Sequence, residues 1–508
     1  MPFDLPSIGS ASPGALIPDK AAARVAAGPG FWTDWLSELS REGLLEALLA
    51  EDVIGRALRE APTGHRYDSA LDAKMTLICV LVACLFPDQG YDQVLAKAFG
   101  LPGLRFRPGD VPSGSALSQA RARLGELAVR RVFELDAQRG DADLGLTALW
   151  KGLEVTALDG TTMELARSAA LACEFGSSSE AGRPLLRVVA HVRTASRRWI
   201  GAEIGSYHEG ENDLADKLEG SFRPGMLNLA DRGFFSMDRY VRFSASGADL
   251  AWRVKNSAKS IPARTLEVLP DGSELVILHE SDGMLARRRR ESRNRAAPRH
   301  PDAIARLVTF LVMTQTPGGK RKASRIRVIT TLLDHEGFPA RGIADLYAER
   351  WQIEIAFLHL KATVRGSRRP LRGQSPALAR QEAWALLLIH NMTATAAARA
   401  AAEAGTDPRL IPFAPVLALI REHVAADACC PHCGRRPASA ESQVNALIAE
   451  IIALPRHRPG RQRTSGRTAA ERRDGHTENV TYTISIEKSN LPEWDITLKS
   501  LGQWCRRL

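Results

Sequence analysis

The chain has 508 residues, of which 44% are hydrophobic and 25% charged, so it is long enough for about two to four domains of ordinary globular composition. Its formal net charge of +10 favours a polyanionic partner such as nucleic acid, although a generally basic composition would give the same value. The chain shows neither a run of about 18 apolar residues nor a leader-like start, so we expect no membrane span and a cytoplasmic location. Seven scattered cysteines fit a reduced compartment better than a disulfide scaffold.

The first part of the chain carries helical patterns. Residues 1–30 are rich in Pro, Ser and Gly, and we expect a disordered lead-in there. Residues 31–145 then contain three blocks with apolar residues at helical spacing, the third of which can be capped by Ser113 or Ser115. Four arginines lie along this third block: Arg121, Arg123, Arg130 and Arg131. They fit either a DNA-contacting face or an ordinary solvated one.

From Leu149 onwards the pattern becomes that of strands. Five apolar runs are predicted to be strands, the second and third forming a hairpin: 152–158, 185–193, 199–204, 226–230 and 248–254. The first strand runs into Asp159 and the fourth into Asp231, with helices predicted around the fourth. Taken singly, an Asp after an apolar run and before Gly is as well explained by a turn.

The long interval between Asp231 and Glu354 exceeds what one crossover connection needs. It contains four further β-like segments: 265–269, 275–278, 307–314 and 326–333. Two basic runs, Arg287–Arg290 and Lys320–Lys322, lie among them. Such runs fit solvated loops and phosphate contacts equally well.

Residues 345–366 lack Pro, and lack Gly before Gly366, so we predict one long helix. At about 100° per residue it presents two nearly opposite polar faces, Asp345/Glu349/Gln352/His359 and Tyr347/Arg350/Glu354/Lys361. A helix that packs on a core needs only one solvated face, so the second face must point at something other than bulk water. An i,i+4 pair of Arg350 with Glu354 explains part of this face, but not why Tyr347 and Lys361 share it.

The spacing Tyr–x2–Arg–x3–Glu–x6–Lys resembles the helix motif of DDE transposases of the insertion element 4 type. The segments DGT at Asp159 and ADRG at Asp231 also match that family. The resemblance covers roughly residues 31–400. It implies an α/β fold with a ribonuclease H-like catalytic core at 149–400, whose first and fourth strands lie side by side. It further implies a β-rich insertion at about 256–338 before the Glu helix and an N-terminal helical DNA-binding domain at 31–145, with 401–508 as a partly disordered C-terminal region.

The resemblance also implies an active site. Asp159, Asp231 and Glu354 would be catalytic and would hold two Mg²⁺ or Mn²⁺ ions, since hard cations relieve the repulsion of three close carboxylates. Tyr347, Arg350 and Lys361 would bind DNA. Arg232 is a further candidate, unless it forms a structural ion pair.

The implied activity is cut-and-paste transposition, in which cleavage frees a 3′-hydroxyl at the transposon end and this hydroxyl attacks target DNA. We expect a homodimer on paired ends, in a bacterial cytoplasm and associated with the nucleoid when bound. The alternatives are a ribonuclease H-like nuclease without strand transfer and an inactive DNA-binding regulator.

Two features lie outside this resemblance. Some relatives carry a Trp on the strand before the Glu helix, where this chain has Arg327 and Val328, so base flipping by a Trp and a hairpin intermediate are not implied. Trp252, on an earlier strand, is expected in the core. Cys430 and Cys433 have the spacing of half a zinc knuckle, but no second pair follows. A zinc-dependent binding protein is therefore the weakest alternative.

Overall fold

The computed structural model describes residues 44–49, 52–64, 71–99, 111–146, 148–256, 261–300, 302–315, 321–367, 369–426, 440–456 and 481–487. The sheet of these residues is formed by β1 (Glu154–Glu164), β2 (Leu185–Arg193), β3 (Trp199–Ser206), β4 (Met226–Ala230), β5 (Asp249–Val254), β6 (Ala263–Val268), β7 (Glu274–Leu278), β8 (Ala303–Gln315), β9 (Arg321–Thr330) and β10 (Thr481–Glu487). The order across it is β3-β2-β1-β4-β5-β9-β8-β7-β6, and β10 pairs with β8.

Helices precede this sheet, cover it and follow it. They are α1 (Leu44–Leu48), α2 (Val53–Glu60), α3 (Ala73–Leu85), α4 (Tyr91–Phe99), α5 (Gly114–Ala137), α6 (Ala169–Phe175), α7 (Glu211–Asp216), α8 (Met237–Ser244), α9 (Asp282–Glu291), α10 (Ala340–Leu346), α11 (Trp351–Leu358), α12 (Pro376–Glu403), α13 (Phe413–Ala426) and α14 (Ala440–Ala453). Short 3₁₀ segments lie at Ala142–Leu144, Glu219–Ser221, Tyr347–Arg350 and Pro408–Leu410. None of the helices in the described ranges is both long and apolar enough to cross a membrane.

The strands that carry the two aspartates lie side by side, as the family resemblance implies. β1 and β4 are parallel, and Leu158 pairs with Ala230. Asp159 and Asp231 follow these paired residues directly. Because the ends of neighbouring parallel strands share one edge of a sheet, both carboxylates lie at the same edge. The prediction of a mixed α/β fold with a ribonuclease H-like strand order is confirmed.

The end of the first strand was predicted wrongly. β1 does not stop before Asp159 but continues to Glu164. The reason is its second neighbour: beyond Leu158, where β4 has ended, residues up to Glu164 remain paired with β2. Asp159 therefore lies within an extended strand and not in a turn.

A chain of buried polar groups fixes the four central strands of this half of the sheet. His191 of β2 lies 2.8 Å from the Thr156 hydroxyl of β1, which accepts a 3.1 Å hydrogen bond from Asn228 of β4. Trp252 of β5 donates to Asn228 at 2.9 Å. All four side chains are fully buried, so a shift of register would leave them unpaired. Thr156 and Asn228 each precede one of the two aspartates, Asp159 and Asp231, by three residues. The hydrogen-bonded groups therefore also fix where the two carboxylates lie relative to each other along the strands.

The predicted β segments between Asp231 and Glu354 are confirmed, and they extend the sheet. β9 pairs antiparallel with β5, and β8 pairs with β9 along ten residues. The other edge of β8 pairs first with β7, up to Leu307, and then with β10, from Thr309 onwards. The strand β10, near the C-terminus, therefore completes this part of the sheet.

The helix α12 is the centre of the helical layer. It begins at Pro376, with Ser375 accepting a hydrogen bond from the Leu378 amide. It is buried along most of its length, within one apolar cluster that also contains residues of α3, α5, β1 and α14. Trp384 contacts Phe133 of α5 with ring centroids 5.3 Å apart.

Several predictions fall outside the described residues. These are the lead-in at 1–30, the possible zinc ligands Cys430 and Cys433, and most of the segment after 456. The boundaries proposed for separate domains remain predictions.

Candidate active site

The Glu helix is not one regular helix, contrary to the prediction for 345–366. It starts earlier, with α10 at Ala340, tightens into a 3₁₀ turn at Tyr347–Arg350, and continues as α11. It then widens into a π-helical stretch, His359–Val364. Gly366 ends it with a φ of 90°, a conformation that favours glycine.

The second polar face of this helix points at the sheet edge, as its composition predicts. The Tyr347 hydroxyl donates to the carbonyl of Ala230, the last residue of β4, at 3.2 Å. The Lys361 ammonium donates to Thr161 Oγ1 of β1 at 2.8 Å. Each residue thus contacts a strand that carries one of the two aspartates.

Arg350 links the helix to the first aspartate. One Nη donates to Asp159 Oδ2 at 3.2 Å and the other to Glu354 Oε1 at 2.8 Å. The i,i+4 pair considered from the sequence is therefore present, but it is half of a bridge between two carboxylates. Arg350 is only 8% exposed, so water screens these ion pairs weakly.

Asp231 is held by a residue that the sequence did not indicate. Arg253 of β5 lies 3.4 Å from its Oδ1. Arg232, the candidate chosen from the sequence, is exposed and does not form that ion pair. The strand pairing explains this. β4 and β5 are neighbouring parallel strands, and Ala230 pairs with Trp252, so Arg253 lies beside Asp231. Arg253 and Thr161 could have been found only from the strand pairing.

Burial and like charge act together on the site carboxylates. Burial raises the pKa of Asp159 to about 6, against the opposing effect of Arg350 and with a further increase from Glu354 and Asp231. Burial also raises the pKa of Glu354, although Arg350 lowers it. Burial works against the charge on Arg350, but Tyr347 and the three carboxylates outweigh it and raise its pKa. The pKa shifts of Asp159 and Glu354 indicate that Asp159, Asp231 and Glu354 are close enough to repel one another.

The donor chemistry of the site fits a hard divalent cation. Asp159, Asp231 and Glu354 offer only carboxylate oxygens, which Mg²⁺ and Mn²⁺ prefer. In the described residues, however, no three acidic, His or Cys side chains are grouped closely enough to hold an ion as they stand. The Arg350 guanidinium lies between two of the carboxylates and supplies the positive charge there.

The other polar face of the Glu helix, Asp345/Glu349/Gln352/His359, is largely covered by other parts of the protein and is not fully solvated. Glu349 pairs with Arg409 at 2.5 Å, Gln352 accepts from Arg197, and His359 stacks on Phe413. Asp345 stays exposed and pairs with Arg341. His390 of α12 is fully buried beside Trp199, so it belongs to the core.

The arginines of α5 differ in their surroundings. Arg121 is buried and donates to Gln381 of α12, whereas Arg130 and Arg131 pair with Glu134 and other acidic residues. Arg123 alone of the four is exposed. Three of these arginines therefore have structural partners, which reduces the case for a basic DNA-contacting face on this helix.

Comparisons with known proteins agree with this geometry. Residues 150–392 match the family model of the Transposase DDE domain, and residues 40–134 match that of the Insertion element 4 transposase N-terminal region. The chain is 29% identical over 349 residues to Transposase InsG for insertion sequence element IS4 of Escherichia coli (strain K12), covering 68% of this chain and 74% of the relative.

Two further matches are more limited. The chain is 26% identical over 159 residues to the Putative transposase InsZ of the same organism, covering 30% of this chain and 53% of the relative. A solved structure of the piggyBac transposase synaptic complex with hairpin DNA aligns over 85% of this chain and 89% of its own, with a TM-score of 0.40 and 9% identity.

Proposed function

The chain belongs to the DDE transposases of the insertion element 4 type, and from that premise we propose that it performs cut-and-paste transposition of DNA. It would cleave at transposon ends and join the freed 3′-hydroxyl to target DNA. The observation that carries the proposal is that Tyr347, Arg350 and Lys361 of the Glu helix all contact the sheet edge at which β1 and β4 bring Asp159 and Asp231.

The acidic residues are assigned to metal binding. DDE transposases use divalent metal ions, and Asp159, Asp231 and Glu354 would hold two Mg²⁺ or Mn²⁺ ions here. When bound, such ions activate the attacking oxygen and stabilise the leaving oxygen of the phosphodiester. The local contacts support this assignment, because Tyr347 and Arg253 orient the end of β4 that carries Asp231.

The basic residues are assigned to the DNA strand. Arg350 presents a planar guanidinium that can grip a phosphate through two hydrogen bonds, and Lys361 adds a second cation on the same face. Arg232 is exposed beside Asp231 and is available to a phosphate on the other side of the site. Tyr347 would contribute to DNA binding mainly by orienting the end of β4, because its buried hydroxyl already donates to the carbonyl of Ala230.

Arg350 must change partners for this function. Its guanidinium neutralises Asp159 and Glu354 in the absence of DNA. A DNA phosphate can bind the guanidinium through two hydrogen bonds, and the departure of Arg350 would free the two carboxylates for cations. DNA binding and metal binding would therefore favour each other.

Two statements about the cellular setting complete the proposal. The protein would act as a homodimer on paired transposon ends, since cut-and-paste transposition joins both ends to one target. It would work in the bacterial cytoplasm and associate with the nucleoid while bound to DNA.

The test is a strand-nicking assay on a duplex that carries the terminal sequence of the element, with Mg²⁺ or Mn²⁺. Asp159→Asn, Asp231→Asn and Glu354→Gln should each reduce nicking by at least about a thousandfold, as expected for groups that stabilise the transition state, while DNA binding persists. Asp345→Asn is the matched control, because Asp345 lies exposed on the opposite face of the same helix.

Three outcomes would change the assignment. Nicking that survives one of the three site substitutions would mean that the residue is not catalytic. Nicking without any joining of the 3′-hydroxyl to a second duplex would favour the nuclease alternative. Tight binding without nicking by the wild type would favour the regulator.

A further inference from the structure

The basic run Arg287–Arg290, which fits a solvated loop and phosphate contacts equally well from the sequence, lies in the helix α9. Two of its arginines fix the helix and the turn that follows. Arg288 donates to both carboxylate oxygens of Glu280, at 2.8 and 3.0 Å. Arg289 donates to the carbonyl of Ala297 at 2.8 Å. The run is therefore not a uniformly solvated stretch, and its inward half has a structural role.

The outward side of α9 and the turn after it present exposed positive charge. Arg290, Arg293 and Arg295 are exposed, and their side chains have no hydrogen-bond or ion-pair partner among the described residues. We call these three residues the α9 basic surface. Two acids close to α9 are already engaged: Glu280 pairs with Arg288, and Asp282 pairs with Arg299.

The neighbouring helix α8 shows the opposite arrangement. Its arginines Arg239 and Arg242 are both paired with Asp216, and Arg242 also contacts Glu219. Arginines on this side of the sheet are thus normally neutralised within the chain. The α9 basic surface departs from that pattern, which indicates that its anions come from another molecule.

The position of α9 relates this surface to the active site. Met284 of α9 packs on the apolar cluster that contains Phe234 and Met237. His300, after the turn, has its Nε2 2.9 Å from Asp238 Oδ1 in the first turn of α8. Since α8 begins six residues after Asp231, α9 and its turn lie on the side where β4 delivers the catalytic aspartate.

Duplex DNA fits this surface in charge and in geometry. Its backbone carries one negative charge per about 1.7 Å of axis, so three guanidinium groups separated by two or three residues meet several phosphates. Each guanidinium can bind a phosphate through two hydrogen bonds.

We propose that the α9 basic surface binds the phosphate backbone of the DNA duplex whose end occupies the active site. This proposal rests on the proposed transposase function, but it assigns a contact outside the catalytic centre. Phosphate contacts carry no sequence information, so the surface would position the duplex and raise its affinity without selecting the end sequence.

The test measures duplex binding by fluorescence anisotropy in EDTA, over a series of salt concentrations, for the wild type and for Arg290→Ala/Arg293→Ala/Arg295→Ala. The dependence of log K on log [salt] should become shallower by about 2 to 3, close to 0.9 for each lost phosphate contact. Affinity should fall by about 10- to 100-fold near 0.15 M salt, equally for the terminal sequence and for an unrelated duplex of the same length.

Two control variants test whether the effect depends on positive charge at the α9 basic surface or only on the net charge of the protein. Replacement of the same three arginines by lysine should keep most of the salt dependence. Lys217→Ala/Arg223→Ala removes two cations outside α9 and its turn, on the segment that precedes β4, and should leave the salt dependence almost unchanged. Circular dichroism of each variant confirms that the fold is retained.

The possible failures are distinguishable. If the triple alanine variant binds like the Lys217/Arg223 variant while the wild type binds normally, the α9 basic surface is refuted and the transposase function is not. If the wild type binds no duplex, both proposals fail. Loss of affinity for the terminal sequence alone would also refute the proposal, because it would indicate base recognition.

Discussion

At the scale of single residues, the charge balance of the site depends on Arg350. Its guanidinium joins Asp159 to Glu354 and holds the Glu helix against β1 without any bound ion. The sequence placed Arg350 on the correct helical face and paired it with Glu354. It could not show the contact with Asp159, 191 residues away, because that contact depends on how the helix crosses the sheet edge.

The first prediction concerns Arg350 as a competitor of metal ions. Arg350→Gln should bind Mn²⁺ more tightly than the wild type when DNA is absent, by up to about tenfold, or 1.4 kcal/mol, since a positive charge has left the site. Calorimetric titration with Mn²⁺ measures this directly. Arg350→Lys keeps the charge and should show a smaller change. Equal Mn²⁺ affinity in the wild type and Arg350→Gln would show that the guanidinium does not compete.

The second prediction concerns the pH dependence of stability through Asp159. Its pKa is about 6 in the folded protein and near 3.8 when unfolded, so the folded state holds the proton more tightly. Its contribution to stability is therefore fully present below pH about 4 and is lost as the pH rises towards 6. The loss is at most about 3 kcal/mol, and nearer 1–2 kcal/mol because the side chain is partly exposed.

Asp159→Asn should remove this contribution. In EDTA, the free energy of unfolding by urea should decrease between pH 5 and 7 by about 1 kcal/mol more in the wild type than in the variant. The comparison cancels the titration of other groups. If the free energy of unfolding of Asp159→Asn depended on pH in the same way as that of the wild type, the titration of Asp159 would not be the cause.

At the scale of elements, most of the structure could be predicted and the exceptions have physical causes. The strands β4 and β7 and the helices α8 and α12 have clear local signals: apolar runs, serine caps and Pro376 at a helix start. The extension of β1 could not be predicted, because it depends on pairing with β2. The change from 3₁₀ to α to π geometry in the Glu helix also has no local signal, since neither Pro nor Gly lies between Tyr347 and Val364.

The strand β10 is the element with the most direct consequence for the Glu helix. Arg341 of α10 donates to the carbonyl of Ile484 at 2.9 Å, and Arg325 of β9 pairs with Glu487 at 3.1 Å. β10 thus joins the insertion strands to the helix that leads directly into Arg350 and Glu354.

The third prediction tests that role. Ile484→Asp places a charge in the apolar cluster that β10 shares with α10, and should destabilise the protein by about 2–4 kcal/mol and reduce nicking. Thr483→Asp is the matched control, because the preceding side chain points to solvent. Urea unfolding and hydrogen exchange of the α10 amides measure the effect. Unchanged α10 protection in Ile484→Asp would show that β10 does not support the Glu helix.

At the scale of the whole molecule, the helices that precede the sheet are joined to it by buried hydrogen bonds. Asn391 of α12 accepts from the Trp199 amide and donates to Asp136 of α5. Arg198, fully buried, donates to the carbonyls of Asp136 and Arg139. Sequence patterns identified each helix but not these long-range contacts, because a helical period shows which face is buried and not what covers it.

The central position of α12 has a consequence for the synthesis of the chain. The helix α3 is apolar on every side, and Cys84 on it meets the carbonyl of Glu382 on α12, 298 residues later. At about 5–20 residues per second, the ribosome needs roughly 15–60 s to deliver that partner. Throughout this interval the face of α3 that packs on α12 has no partner, and we expect holding chaperones to bind it long before the chain can bind DNA.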